Sequence, residues 1–61
     1  MERFKLKFKI KSSNEFIKEY ESSHMPKIDD SVLIDKKIFT VIDTITSYEK
    51  GIVLVYVEFN D

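Results

Sequence analysis

Arg3-Phe4-Lys5-Leu6-Lys7-Phe8-Lys9-Ile10-Lys11 alternates basic and apolar side chains without a break. A period of two places the two sets on opposite faces of a β-strand, so this stretch predicts a strand over Arg3–Lys11. Phe4, Leu6, Phe8 and Ile10 form the face that enters a core. Lys5, Lys7, Lys9 and Lys11 form a comb of positive charge, with neighbours about 6.6–6.8 Å apart along the strand.

Beyond the comb, Ser12-Ser13-Asn14-Glu15 reads as a capping box, with Ser12 and Glu15 three residues apart satisfying each other's amides. It predicts a short helix over about 13–21, in which Phe16, Ile17 and Tyr20 share one side and Lys18, Glu19 and Glu21 face water. Such a helix is marginal alone and must be held by packing. Pro26 ends it. Asp29-Asp30-Ser31 is turn-like, Val32-Leu33-Ile34 is a short strand, and Asp35-Lys36-Lys37 is a tight connection.

From Ile38 to about Ser47 the residues are β-branched and predict a longer strand. Phe39, Val41 and Ile45 share a parity, but Asp43 interrupts it, and a bulge near Asp43 repairs the pattern. Glu49-Lys50-Gly51 predicts a three-residue turn with Gly51 in the left-handed conformation. The last strand, Ile52–Phe59, carries Val53, Val55, Val57 and Phe59 in one row and Ile52, Leu54 and Tyr56 in the other. Two apolar rows predict a strand covered on both faces. The expected fold is α+β and mostly β: one antiparallel sheet, curled or barrel-like, in the order β-α-β-β-β with the helix closing one side.

With 61 residues the chain forms a single domain, 1–61. At this size burial and chain ordering nearly cancel. There is no cysteine, and no Cys/His zinc pattern. Association is the remaining means of stabilisation, so a homo-oligomer is expected, most simply a two-fold dimer. Ile52, Leu54 and Tyr56 are the expected oligomer interface. Charges begin at Glu2, and the longest apolar run, Ile52–Val57, is too short to span a bilayer, so the expectation is a cytoplasmic protein with no membrane partner.

The stretch Pro26-Lys27-Ile28-Asp29-Asp30-Ser31-Val32-Leu33-Ile34-Asp35-Lys36-Lys37-Ile38-Phe39-Thr40-Val41, followed by Val55-Tyr56-Val57-Glu58, resembles small accessory proteins encoded by bacterial viruses and prophages. It is also similar to the opening hairpin of SH3-like small barrels. Asp29 and Lys36 stand where that pattern usually has glycine. The resemblance implies a small viral protein that binds and inhibits a host or defence protein. It carries no catalytic residues to this chain.

The net charge of −1 conceals a strong polarity. Residues 1–11 sum to +4 and residues 12–61 to −5. Lys5, Lys7, Lys9 and Lys11 are therefore either a binding surface for an anion or a solvated strand face that opposes edge pairing and is neutralised by neighbours such as Glu58 or Glu49. Tyr48, Tyr56 and Phe39 are candidates to stack a base beside the lysines, or else core and interface anchors.

His24, the single histidine, has Ser22, Ser23 and Asp29 near it in sequence, all residues of turn chemistry. Asp29, Asp30 and Asp35 lack the spacing of a cation-binding loop, and one glycine excludes phosphate-loop and dinucleotide motifs. No enzyme, metal or cofactor is expected. The leading expectation is a non-enzymatic protein-binding inhibitor. The alternatives are an oligomeric sponge for an anionic nucleotide signal, with Lys5, Lys7, Lys9, Lys11, Tyr48 and Tyr56 as ligand residues, and a nucleic-acid-binding β module.

Overall fold

A computed structural model describes residues 3–60. Five strands follow one another along the chain: β1 (Phe4–Ile10), β2 (Phe16–Ser22), β3 (Ser31–Ile34), β4 (Lys37–Ser47) and β5 (Ile52–Phe59). They form one sheet in the order β2-β1-β5-β4-β3, curled into a half-barrel. Its inner face holds the core: Leu6, Phe8 and Ile10 of β1, Ile34 of β3, Phe39 and Val41 of β4, and Val53, Val55 and Val57 of β5. Phe4, the remaining apolar residue of the opening alternation, is half-buried and packs against the core.

The expected helix over 13–21 is absent: the segment forms β2. Its acids are spaced for the lysines of β1, with Lys5 opposite Glu21 and Lys7 opposite Glu19, while Leu6 faces Tyr20 on the inner side. Opposite charges across an antiparallel pair contribute about 0.2–1 kcal/mol each. The ring of Phe8 meets that of Tyr20 edge-on, at 5.9 Å and 76°. A two-turn helix has nothing local to set against these contacts. The register is irregular between Phe8 and Lys9: Phe8 lies opposite Lys18 and Lys9 opposite Phe16, leaving Ile17 as an extra residue of β2.

The proposed capping box also fails. The Ser12 amide donates to Glu58 Oε2 at 2.8 Å and its hydroxyl to Glu58 Oε1 at 3.2 Å, tying the first loop to the last strand. That loop is a tight reversal: the Asn14 amide donates to the Ile10 carbonyl at 2.7 Å, and Asn14 adopts φ 58°. The β4–β5 loop repeats the device over four residues rather than three. The Gly51 amide donates to the Ser47 carbonyl at 2.9 Å, and Gly51 adopts φ 66°. Asn and Gly tolerate the left-handed conformation better than other residues, which is why each sits at the fourth loop position.

The sheet is mixed, not antiparallel. β1 runs parallel to β5, with Leu6 beside Val53 and Phe8 beside Val55. The meander β3-β4-β5 and the hairpin β1-β2 are two antiparallel units, and two rows of buried side chains meet where they join. The 23–30 connection runs from one sheet edge to the other. Pro26 is buried there, and Met25 packs on the core. Asp29 and Asp30 latch it to β4: the Asp29 amide donates to the Val41 carbonyl, and the Val41 amide to the Asp30 carbonyl, both at 2.8 Å.

The bulge expected near Asp43 is present. The register shifts between Val41 and Asp43, and Ile42 is the extra residue. Among the described residues no helix is long and apolar enough to cross a membrane.

Asp29 (φ 74°) and Lys36 (φ 66°), which stand where the viral pattern has glycine, both hold the glycine-type backbone. Asp35 (φ 51°) and Lys36 together make the two-residue β3–β4 hairpin, for which Asp-Gly is a favoured pair. A non-glycine residue in this region costs roughly 1–2 kcal/mol, partly offset by the extra freedom glycine has when unfolded. Lys36→Gly is therefore expected to stabilise the fold by about 0.5–1 kcal/mol. Thermal unfolding checks this: the midpoint should rise by several degrees.

Candidate functional site

The outer face of the sheet is striped by strand. Residues directly opposite one another share a face, so the registers place Glu19 and Glu21 on β2, Lys5, Lys7 and Lys9 on β1, Ile52, Leu54 and Tyr56 on β5, and Asp43, Ile45 and Ser47 on β4 side by side. The stripes run acidic, basic, apolar and mixed across the sheet.

The β4 stripe is a product of the bulge. In a regular strand, with Ile42 paired in the ladder instead of bulged, Asp43 and Ile45 would follow Phe39 and Val41 into the core. The insertion turns both outward, and Thr44 and Thr46 take the inner positions opposite Val55 and Val53. The carboxylate avoids burial, and its Oδ1 accepts from the Thr44 amide at 2.9 Å. Ile42 (41 % exposed) and Ile45 (49 %) then lie beside the half-buried Leu54 and Tyr56. Further along the same face Leu33 and Ile38 pair with each other, both exposed. The result is an apolar patch bordered on one side by lysines.

The lysine comb is flanked by acids along half of its other border, at Lys5 and Lys7. Lys7 Nζ lies 3.9 Å from Glu19 Oε1, and Lys5 is opposite Glu21. These acids, rather than Glu58 or Glu49, flank the comb. Glu58 is held by Ser12. Lys9 sits between Phe16 and Tyr56, and Lys11 Nζ lies 5.1 Å from the Tyr56 ring centroid, within reach of a cation–π contact. The half-buried Lys7 and Lys9 lie beside Leu54 and Tyr56.

The structure thus joins Tyr56 to Lys9 and Lys11. Tyr48 stands at the tip of the β4–β5 loop, 92 % exposed, and borders a cleft shared with Arg3. Phe39 is core, its ring 4.9 Å from that of Phe59, and cannot offer a stacking face to a ligand. The residues missed by sequence reasoning are Glu19, Glu21, Ile42 and Ile45. Alternation within Phe16–Ser22 was the available signal for the first two.

Two further features lie on the inner side. No Cα of β2 comes within 8 Å of a Cα of β3, so the sheet edges do not close on each other. A cleft of about 390 Å³ between them is lined by Leu6, Phe8, Tyr20, Val32 and Ile34, with His24 and Pro26. Lys18 of β2 reaches Asp35, just past β3, at 2.8 Å. Its hydrogen bond to Asp35, then the Asp35 charge, and then Tyr20 raise the Lys18 pKa above the ordinary 10.5.

The His24 amide donates to Ser22 Oγ at 2.9 Å, and that hydroxyl donates to the His24 carbonyl at 3.2 Å, which is turn chemistry. Asp30 plays a similar part, accepting from the Lys27 amide at 2.9 Å. Among the described residues no group of three or more His, Cys, Asp or Glu side chains could hold a metal ion. Compared with protein-family models, curated proteins and solved structures, the chain matches none, so its likeness to viral accessory proteins rests on the quoted residues alone.

Two outcomes test this electrostatic layout. Glu19→Lys sets a lysine opposite Lys7 and is expected to cost about 0.5–1 kcal/mol at low ionic strength, shrinking at high salt because the charges are exposed. Urea unfolding at two salt concentrations measures it; a cost independent of salt would assign Glu19 a packing role instead. Asp35→Asn is expected to return Lys18 towards 10.5, read by an NMR titration of the lysine side chain. Because the folded value is raised, the stabilisation from this pairing is complete below 10.5 and is lost as pH rises through the folded value.

Proposed function

We propose that this chain is a non-catalytic binding module of the viral accessory kind, acting in the cytoplasm, which inhibits a host or defence protein by covering part of its surface with the outer face of the sheet. One observation carries the reading: the bulge at Ile42 places Ile45 outside, against Leu54 and beside Tyr56, instead of in the core. A small chain has few large apolar side chains to bury. Spending one on the outer face, next to other apolar residues and a charged border, is the pattern of an interaction surface: apolar centre, polar rim. The lysines serve this reading as rim charges that steer approach to an acidic partner and set orientation. Nucleic acid fits less well, because Glu19 and Glu21 run parallel to the comb and oppose a phosphate backbone laid along it.

The experiment places a photoactivatable benzoylphenylalanine at position 45, and as a comparison at position 28, in bacterial extract. One dominant protein adduct at position 45, absent at 28, is expected. Leu54→Glu should weaken binding of that purified protein by about tenfold or more. Indistinguishable adducts at the two positions, or none at position 45, would overturn the reading. So would a dimer in sedimentation equilibrium that Leu54→Glu dissolves, since a second copy would then occupy the face.

A further inference from the structure

At the end of the half-barrel opposite the Lys18–Asp35 pair, the inner face opens into a cleft of about 400 Å³. Its origin is the same bulge. The shifted register brings Thr46 inward opposite Val53, and a threonine fills less space than the larger apolar residues further along the core. Phe4 of β1 and Met25 of the edge-to-edge connection supply apolar walls. Arg3 and Tyr48 stand at the rim.

Three properties define what this cleft can hold. Its volume lies in the range of about 300–1,000 Å³ that small-molecule sites occupy. Its walls are mainly apolar, with an aromatic ring inside and a second, almost wholly exposed ring at the mouth. Among the described residues its single charged side chain is the Arg3 guanidinium, no carboxylate lines it, and Arg3 has no acidic partner. A guanidinium matches a carboxylate, sulfonate or phosphate with paired donors, while the Thr46 and Tyr48 hydroxyls add neutral donors.

We propose that this cleft binds a small aromatic anion, with its ring between Phe4, Met25 and Thr46 under Tyr48 and its anionic group on Arg3. The site goes beyond the protein-binding role of the outer face and stands or falls separately, because Ile45 and Leu54 take no part in it.

The test uses 1-anilinonaphthalene-8-sulfonate, an aromatic anion whose fluorescence rises in apolar surroundings, and its uncharged analogue N-phenyl-1-naphthylamine. Saturable one-to-one binding of the sulfonate is expected, with amide shifts in NMR at Phe4, Thr46 and Val53 rather than at Ile45 and Leu54. Arg3→Gln should weaken the sulfonate at least tenfold and leave the uncharged analogue unchanged. Thr46→Phe should fill the cleft and abolish binding of both. Tyr48→Ala, at an exposed position that carries no core packing, should weaken both severalfold and keeps the test decisive if Thr46→Phe does not fold.

Competition then separates the sources of such an anion. Displacement by adenosine monophosphate assigns the site to nucleotides, and displacement by 2-naphthoate alone assigns it to aromatic acids. Displacement by neither, sulfonate affinity unchanged in Arg3→Gln, or shifts confined to Ile45 and Leu54 would overturn the proposal.

Discussion

Every strand is placed by β5. It is hydrogen-bonded on both sides, to β1 in parallel and to β4 in antiparallel fashion, and β2 and β3 join only through those two. Val53, Val55 and Val57 are fully buried, and their alternation sets the register of both neighbours. A slip of one residue would send all three valines outward and bring Leu54, Tyr56 and Glu58 inside, so the valine row fixes one alignment for the whole sheet. The core is a strip along this strand, thickened by β1 on one side and β4 on the other.

Against that fixed row, β4 cannot keep a regular alternation. Its sequence offers Phe39 and Val41 to the core and then a carboxylate at the next inner position. Bulging Ile42 out of the ladder resolves the conflict, at the cost of moving Ile45 outside and two threonines inside. Both the apolar outer patch and the inner cleft near Thr46 descend from that one extra residue. The two surfaces are therefore coupled in origin, the cleft lying at the end of the sheet where Arg3, Phe4 and Tyr48 meet.

The parts of this layout that were legible in the sequence are those fixed by local pattern. The alternation of Arg3–Lys11, the two rows of Ile52–Phe59, the broken parity at Asp43 and the glycine at 51 each point to a strand, a bulge or a turn without reference to anything distant. Phe16–Ser22 was misread because its identity as a strand depends on a partner: Glu19 and Glu21 carry meaning only opposite Lys7 and Lys5, and in isolation the same residues satisfy a helical spacing. The parallel pairing of β1 with β5 was equally hidden. Neither strand has a local feature that favours parallel over antiparallel neighbours, and the choice follows from how two hairpin units share one buried face. For the candidate site, Tyr56 was found beside the lysines because strand parity predicts it, whereas Tyr48 is a loop residue and has no parity to read.

The parallel pair has a consequence for how the chain folds. The first strand is the mate of the last, their paired residues 47 positions apart, and contacts this far apart in sequence form late in folding. Until then Phe4, Leu6, Phe8 and Ile10 have only β2 for company and no valine row to pack on. An exposed apolar strand of this kind is a template for aggregation, and interspersed lysines are a means by which strands resist it. The lysines along β1 are charges of the kind that keep a waiting strand from joining the wrong chain.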